Sequence, residues 1–279
     1  MTPQPHAPEA QPVQRGRWPA RLGVLALTVL GLSACAGLKW PAPPSNDLRT
    51  VSDQSETERR ARVRLELASA YFSRGQLETA LDELKQAIAL YPNMGDAYNL
   101  RGLIYGSLSE PALAEESFDK ALRLTPNDGG IWHNQGWFYC QQNRYGDAER
   151  SFVRALALPQ YRELSKTLLA KGVCEAKSGQ LNLASYTLQG AVDREPSNPV
   201  LAVNLADVLY KMGQFERAAQ HIRRVNEQPA WVNAQTLWLG ARVERKLGQI
   251  GSAQALEQVL KLRHPQSPEA QAMAQGLRD

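Results

Sequence analysis

Apolar positions fall into two patterns along this chain. From Arg60 onward they recur at the spacing of one helix face, in short segments broken at regular intervals by Gly and Pro. Ahead of that lies one short continuous apolar run, Leu22 to Leu32, behind Arg15, Arg17 and Arg21. The first pattern predicts an all-α fold, and the second predicts an address.

The interruptions keep a fixed period. Ala68, Gly102 and Gly136 stand 34 residues apart, as do Ala80, Ala114 and Ala148, and Ala87, Ala121 and Ala155; Pro92 and Pro126 keep the same spacing. Three small-residue registers holding one period mark an internal repeat, and it resembles the tetratricopeptide pattern of one helix–turn–helix per unit. Small residues let paired helices approach, while Tyr71, Tyr105 and Tyr139, with Leu84, Phe118 and Phe152, fill the space between units. Gly75 suits the end of a helix, and the prolines stop second helices. Gly172, Gly179, Ala184 and Ala191 make a fourth unit, displaced two residues by Pro159-Gln160-Tyr161-Arg162. Ala206, Gly213 and Ala218 make a fifth, and Ala241, Gly248 and Ala253 a sixth. The expected architecture is a right-handed tetratricopeptide superhelix, an α-α solenoid of about six repeats, with a short capping helix from Ser267. The repeats run approximately over 61–94, 95–128, 129–164, 165–198, 199–233 and 234–267 within a domain spanning 60–279. A concave groove lined by first helices follows from that stacking.

The apolar run at Leu22 reaches about 16 Å as a helix, roughly half a bilayer core, so it reads as a signal peptide and not a membrane span. It is followed by Leu32-Ser33-Ala34-Cys35, which resembles the lipobox at which bacterial lipoproteins are acylated and cleaved. Residues 1–34 are then a lipoprotein signal peptide with a disordered leader, and Cys35 is the lipidation site that ties the chain to the membrane. Ordinary secretory cleavage at Ala34 or Ala36 is the alternative. Acyl chains anchor durably, at about 0.8 kcal/mol per buried CH₂. Ala36 stands where aspartate commonly retains such proteins at the inner membrane, which by resemblance favours the outer one. Residues 35–59, with Pro41, Pro43 and Pro44, read as the acylated cysteine and a flexible tether.

Charge narrows the partners. Thirty-two basic residues face 28 acidic ones, and without the first 34 residues the balance is 29 to 27. That lacks the strongly basic face nucleic-acid binding wants. His6, His133, His221 and His264 are scattered with no second ligand at a metal spacing, and no phosphate loop, G-x-S-x-G or H-E-x-x-H is present. The expectation is a non-enzymatic protein with no cofactor, no metal and no small-molecule substrate. Glu115-Glu116 and Arg223-Arg224 read as solvated helix faces. What remains is protein-binding surface. Projected onto the groove, Leu65, Phe72, Leu103 and Trp137 point inward beside Asp96 and Asn99, with Tyr210, Trp238, Arg242 and Arg245 as a second, more basic stretch. Packing between units is the competing reading for each.

Cys140 and Cys174 fall on the first helices of adjacent units. Cys140 comes four residues after Gly136 and Cys174 two after Gly172, which turns the side chains about 200° apart about their axes, near the half-turn that side-by-side helices need. They are a candidate disulfide, with two buried thiols as the alternative.

With these residues read, the chain resembles the type IV pilus biogenesis and stability lipoproteins, called pilotins where they escort secretins. The likeness rests on the lipobox, the six units, Asn134-Gln135-Gly136-Trp137-Phe138-Tyr139-Cys140 and Gly172-Val173-Cys174. The resemblance implies an outer-membrane lipoprotein facing the periplasm that helps the secretin subunit reach the outer membrane and multimerise there, and so supports twitching motility. A general tetratricopeptide lipoprotein that scaffolds cell-wall enzymes is the alternative.

Overall fold

The computed structural model describes residues 55–276; the signal-peptide reading, Cys35 and most of the tether lie outside the described residues. The described residues form thirteen α-helices and no strand. They pair as α1 (Glu56–Ser73) with α2 (Leu77–Leu90), α3 (Gly95–Ser107) with α4 (Pro111–Leu124), and α5 (Gly129–Gln141) with α6 (Tyr145–Leu156). Next come α7 (Leu164–Lys177) with α8 (Leu181–Arg194), α9 (Pro199–Lys211) with α10 (Phe215–Asn226), and α11 (Ala234–Lys246) with α12 (Ile250–Arg263). The short α13 (Pro268–Ala274) follows. α1 begins at Glu56, where Ser55 accepts a hydrogen bond from the Glu58 amide, so residues 56–59 are helix and not tether.

Each boundary has a local cause. Helices α3, α5, α7, α9 and α11 open after Pro-, Gly- or Asn-bearing loops; Asp128, Asn198 and Asn233 cap three of them with side-chain oxygens. The second helices have no side-chain cap. They are entered through one tight turn, repeated six times, with a residue in the left-handed region: Gly75, Ser109, Asn143, Gly179, Gly213 and Gly248, at φ between 58° and 84°. The small residues do what the period demands. A Cβ added to Gly102 would meet the Phe118 ring at 2.9 Å, one on Gly136 would meet Phe152 at 2.8 Å, and one on Gly172 would meet Leu188 at 2.6 Å. First and second helices therefore touch backbone to side chain, and Ala80, Ala114, Ala148, Ala184, Ala218 and Ala253 are fully buried opposite.

Curvature follows from which helices touch. Consecutive first helices pack on one another from α1 to α11, while no second helix contacts the next second helix. First helices thus line the inner face of the solenoid and second helices splay along the outer one. α13 packs on α11 and α12, placing Ala270 and Met273 over Leu237, Trp238 and Leu260. It closes the end of the stack, where the last apolar layer lacks a following unit.

Candidate functional site: the concave face of the repeats

The inner face reads as rows, one residue per unit. One position after each small residue stand Ser69, Leu103, Trp137, Val173, Asp207 and Arg242. After a polar first member, Ser69, the row is apolar through three units and charged through the last two. In its middle, between α5, α7 and α9, lies a depression of about 390 Å³ lined by His133, Trp137, Lys166, Leu169, Val173 and Asn204. A second depression of about 270 Å³ continues it between α9 and α11, lined by Pro199, Val200, Val203, Asn204 and Trp231. Asn204 belongs to both, so the two form one groove with an aliphatic floor and an indole at each end. Val200 is 53% exposed on that floor, which is unpartnered apolar surface of the kind that receives a protein segment.

The expected groove residues divide. Trp137 lines the groove. Leu103 is half-buried, packed between the clusters of the first and second units. Asn99 accepts a hydrogen bond at 3.1 Å from Asn134 of the next unit, which ties α3 to α5. Leu65 and Phe72 are half-buried and pack against the first-unit core, so they share their surface between packing and solvent. Tyr210 and Trp238 are corrections. They are only 9% and 8% exposed and fill the cores of the fifth and sixth units. Tyr210 stands in the row where consecutive first helices touch, in one cluster with Val243 of α11, and Arg242 covers both rings. Arg242 lies over both rings, at 4.7 and 5.7 Å from their centroids, with Asp207 at 3.9 Å. Arg245 pairs with Glu257 of α12.

Two links missing from the sequence reading brace the groove. His133, 7% exposed, shares a hydrogen bond of 2.9 Å through Nδ1 with Thr167 of α7. Thr167 in turn shares one of 2.7 Å with the hydroxyl of Tyr161. Tyr161 comes from the inserted Pro159-Gln160-Tyr161-Arg162, and its ring lies against Gly129, where a Cβ could not fit. The insertion thus reaches back and clamps the start of α5 to the start of α7. Burial, with Lys166 beside it, lowers the His133 pKa to about 4, so the ring is neutral at physiological pH. At the far ends of the same helices Cys140 and Cys174 form a disulfide with Cα atoms 5.8 Å apart. Its place is a standing contact of the repeat: the fourth position after one small residue meets the second position after the next. A Cβ on Gly106 would meet Phe138 at 3.5 Å there, and Tyr210 and Val243 share one cluster at the corresponding place.

The outer face corrects two further expectations. Glu115 is not simply solvated: it accepts from Tyr139 Oη at 2.9 Å and from Arg144 at 2.7 and 3.1 Å, and the Arg144 hydrogen bond lowers its pKa. Arg223 makes a two-pronged pair, at 2.6 and 2.7 Å, with the buried carboxylate of Glu244. Among the described residues no three potential metal ligands cluster, and no helix is long and apolar enough to cross a membrane.

Paired helices with a left-handed turn, an inner layer of first helices and an apolar inner groove define a tetratricopeptide-repeat protein. Models described as TPR repeat and tetratricopeptide repeat match residues 68–109, 95–128, 117–150 and 175–237. The chain is homologous to the tetratricopeptide proteins of type IV pilus biogenesis. It is 27% identical over 251 residues to the type IV pilus assembly protein PilF of Pseudomonas aeruginosa, covering 90% of this chain and 96% of that one. Its fold matches the crystal structure of PilW, described as a widely conserved type IV pilus biogenesis factor, at 29% identity and a TM-score of 0.71 over 77% of this chain and 98% of that one. It also matches a P. aeruginosa PilF structure, at 24% identity and a TM-score of 0.69, over 80% and 100% of the two chains.

Proposed function

We propose that this protein is a non-catalytic scaffold of type IV pilus biogenesis, a pilotin that is lipid-anchored through Cys35 on the periplasmic face of the outer membrane. The observation that carries the reading is the similarity to a pilus assembly protein along nearly the full length of both chains. In mechanism, the inner groove between α5 and α11 holds a segment of the secretin subunit, and the acylated cysteine holds the complex at the membrane. Tethering there raises the effective concentration of secretin subunits for one another, which favours multimerisation without any chemical step.

The test is capture and complementation. Full-length protein in detergent should recover secretin from an extract, and a deletion strain should lose heat-resistant secretin multimers and twitching. Trp137→Glu, at one end of the groove, should fail to restore multimers although the protein is folded and present. Multimers at wild-type level with that variant would remove the groove from the mechanism. Recovery of cell-wall hydrolases without secretin would replace it with the adaptor alternative.

A further inference from the structure

The inner face is polarised in charge, and the polarity follows one row. Five positions after each small residue the units carry Ser73, Ser107, Gln141, Lys177, Lys211 and Lys246. The row is neutral through three units and then basic through three. It is continuous in space: Lys177 Nζ donates to Gln141 Oε1 of the preceding unit at 3.2 Å. Arg242 adds a further cation beside it, and one carboxylate, Asp207, serves both Lys211, at 2.7 Å, and Arg242, at 3.9 Å. The Arg242 Nε–H is buried without an acceptor. Lys177 lies one helical turn beyond Val173 and Lys211 about two turns beyond Val203, so the two lysines border the groove at the C-terminal ends of α7 and α9.

We propose that the inner face of the last three units is an acidic-peptide site: it takes an extended partner segment whose carboxylates meet Lys177, Lys211 and Arg242 while its apolar side chains enter the groove. This rests on the groove reading above and names the partner's chemistry. Spacing fits an extended chain. Packed helices lie about 8–10 Å apart, and a polyproline-II segment advances about 3.1 Å per residue with three residues per turn, so every third side chain leaves the same face about 9 Å further on and meets successive units. A segment with an acidic residue at every third position therefore satisfies the whole row. A membrane surface fits less well, because the row lies on the inside of the curve, where a planar bilayer does not reach.

The experiment uses full-length protein in detergent and two fluorescent peptides of about twelve residues, repeats of Leu-Ser-Glu and of Leu-Ser-Lys. Fluorescence anisotropy should show binding of the glutamate peptide, weakened about tenfold between roughly 50 and 300 mM salt as screening sets in. The lysine peptide should bind at least about tenfold more weakly, since its charges repel the row. Lys177→Gln with Lys211→Gln should weaken the glutamate peptide about fivefold, the loss of two screened charge contacts, with an unchanged melting curve because both residues are exposed. Equal affinity for the two peptides, no detectable binding of the glutamate peptide, or indifference to the double substitution would overturn the proposal. So would lysine-dependent capture of phosphatidylglycerol vesicles in place of peptide. The two readings fail separately. If Trp137→Glu abolishes secretin capture and the lysine variant does not, the charge row is wrong and the scaffold reading stands. If the peptide binds as expected and no secretin is captured, the scaffold reading falls alone.

Discussion

Six turns of one shape join first to second helices, and four of them have glycine at the left-handed position. Gly213 has open space where a Cβ would go, so Gly213→Ala isolates the backbone cost. It should destabilise by about 1–2 kcal/mol, read as a lower urea midpoint. Ser109 holds φ of 61° without that freedom, and Ser109→Gly should stabilise by about 0.5–1 kcal/mol. His133 gives a pH signature. Its folded pKa is near 4 against about 6.5 for a free histidine. Between those values the unfolded chain binds the extra proton, so stability is fully present above about pH 6.5 and is lost as pH falls toward 4. The loss is at most about 3 kcal/mol. His133→Gln should flatten that slope in denaturation midpoints taken from pH 7 to 4; an unchanged slope would place the titration elsewhere. The small residues were legible from sequence because a helix pair tolerates no larger side chain at Gly102 or Gly136. Ser109 was not, since serine does not announce a left-handed turn and only its register with Gly75 does; asparagine accepts that backbone more readily, so Asn143 carries a weaker form of the glycine signal.

At the scale of helices, α5 and α7 are joined at both ends, by His133–Thr167–Tyr161 at one and Cys140–Cys174 at the other. Removing the disulfide with Cys140→Ala and Cys174→Ala should lower stability by about 3–4 kcal/mol on the chain-entropy estimate. Hydrogen exchange should speed up in α5 to α8 more than in α1 or α12, because a repeat stack transmits stability only between neighbours. Uniform exchange along the chain would show that the cross-link acts globally. The register of the cysteines was readable, since helix geometry fixes their directions. The clamp was missed because the segment Pro159-Gln160-Tyr161-Arg162, which lengthens this unit by two residues, breaks the period, and a residue outside the repeat has no register to read. Tyr210 and Trp238 show the complementary error. Their rows were assigned to the inner face, but a row says which side a residue leaves from and not how far its neighbours cover it.

At the scale of the molecule, the two ends differ. Truncation after Gln266 removes α13 and uncovers the apolar layer around Leu237 and Leu260. It should melt the sixth unit first, seen as an early change in Trp238 fluorescence, while the groove between α5 and α9 stays folded. Cys35→Ala should leave repeat stability and partner binding intact while moving the protein out of the membrane fraction; retention there would show that something other than an acyl chain holds it. Second helices that do not touch one another also make the stack a spring. Its curvature can open and close at each joint between units with little breakage of contacts on the outer side. The cross-link and clamp between α5 and α7 remove that freedom at one joint, near the middle, so extension under load is divided between two compliant arms. Pulled from its ends, the reduced protein should lengthen at lower force than the oxidised one. A scaffold stiff at its centre keeps the groove floor in shape while its arms adjust to a partner that is itself being assembled.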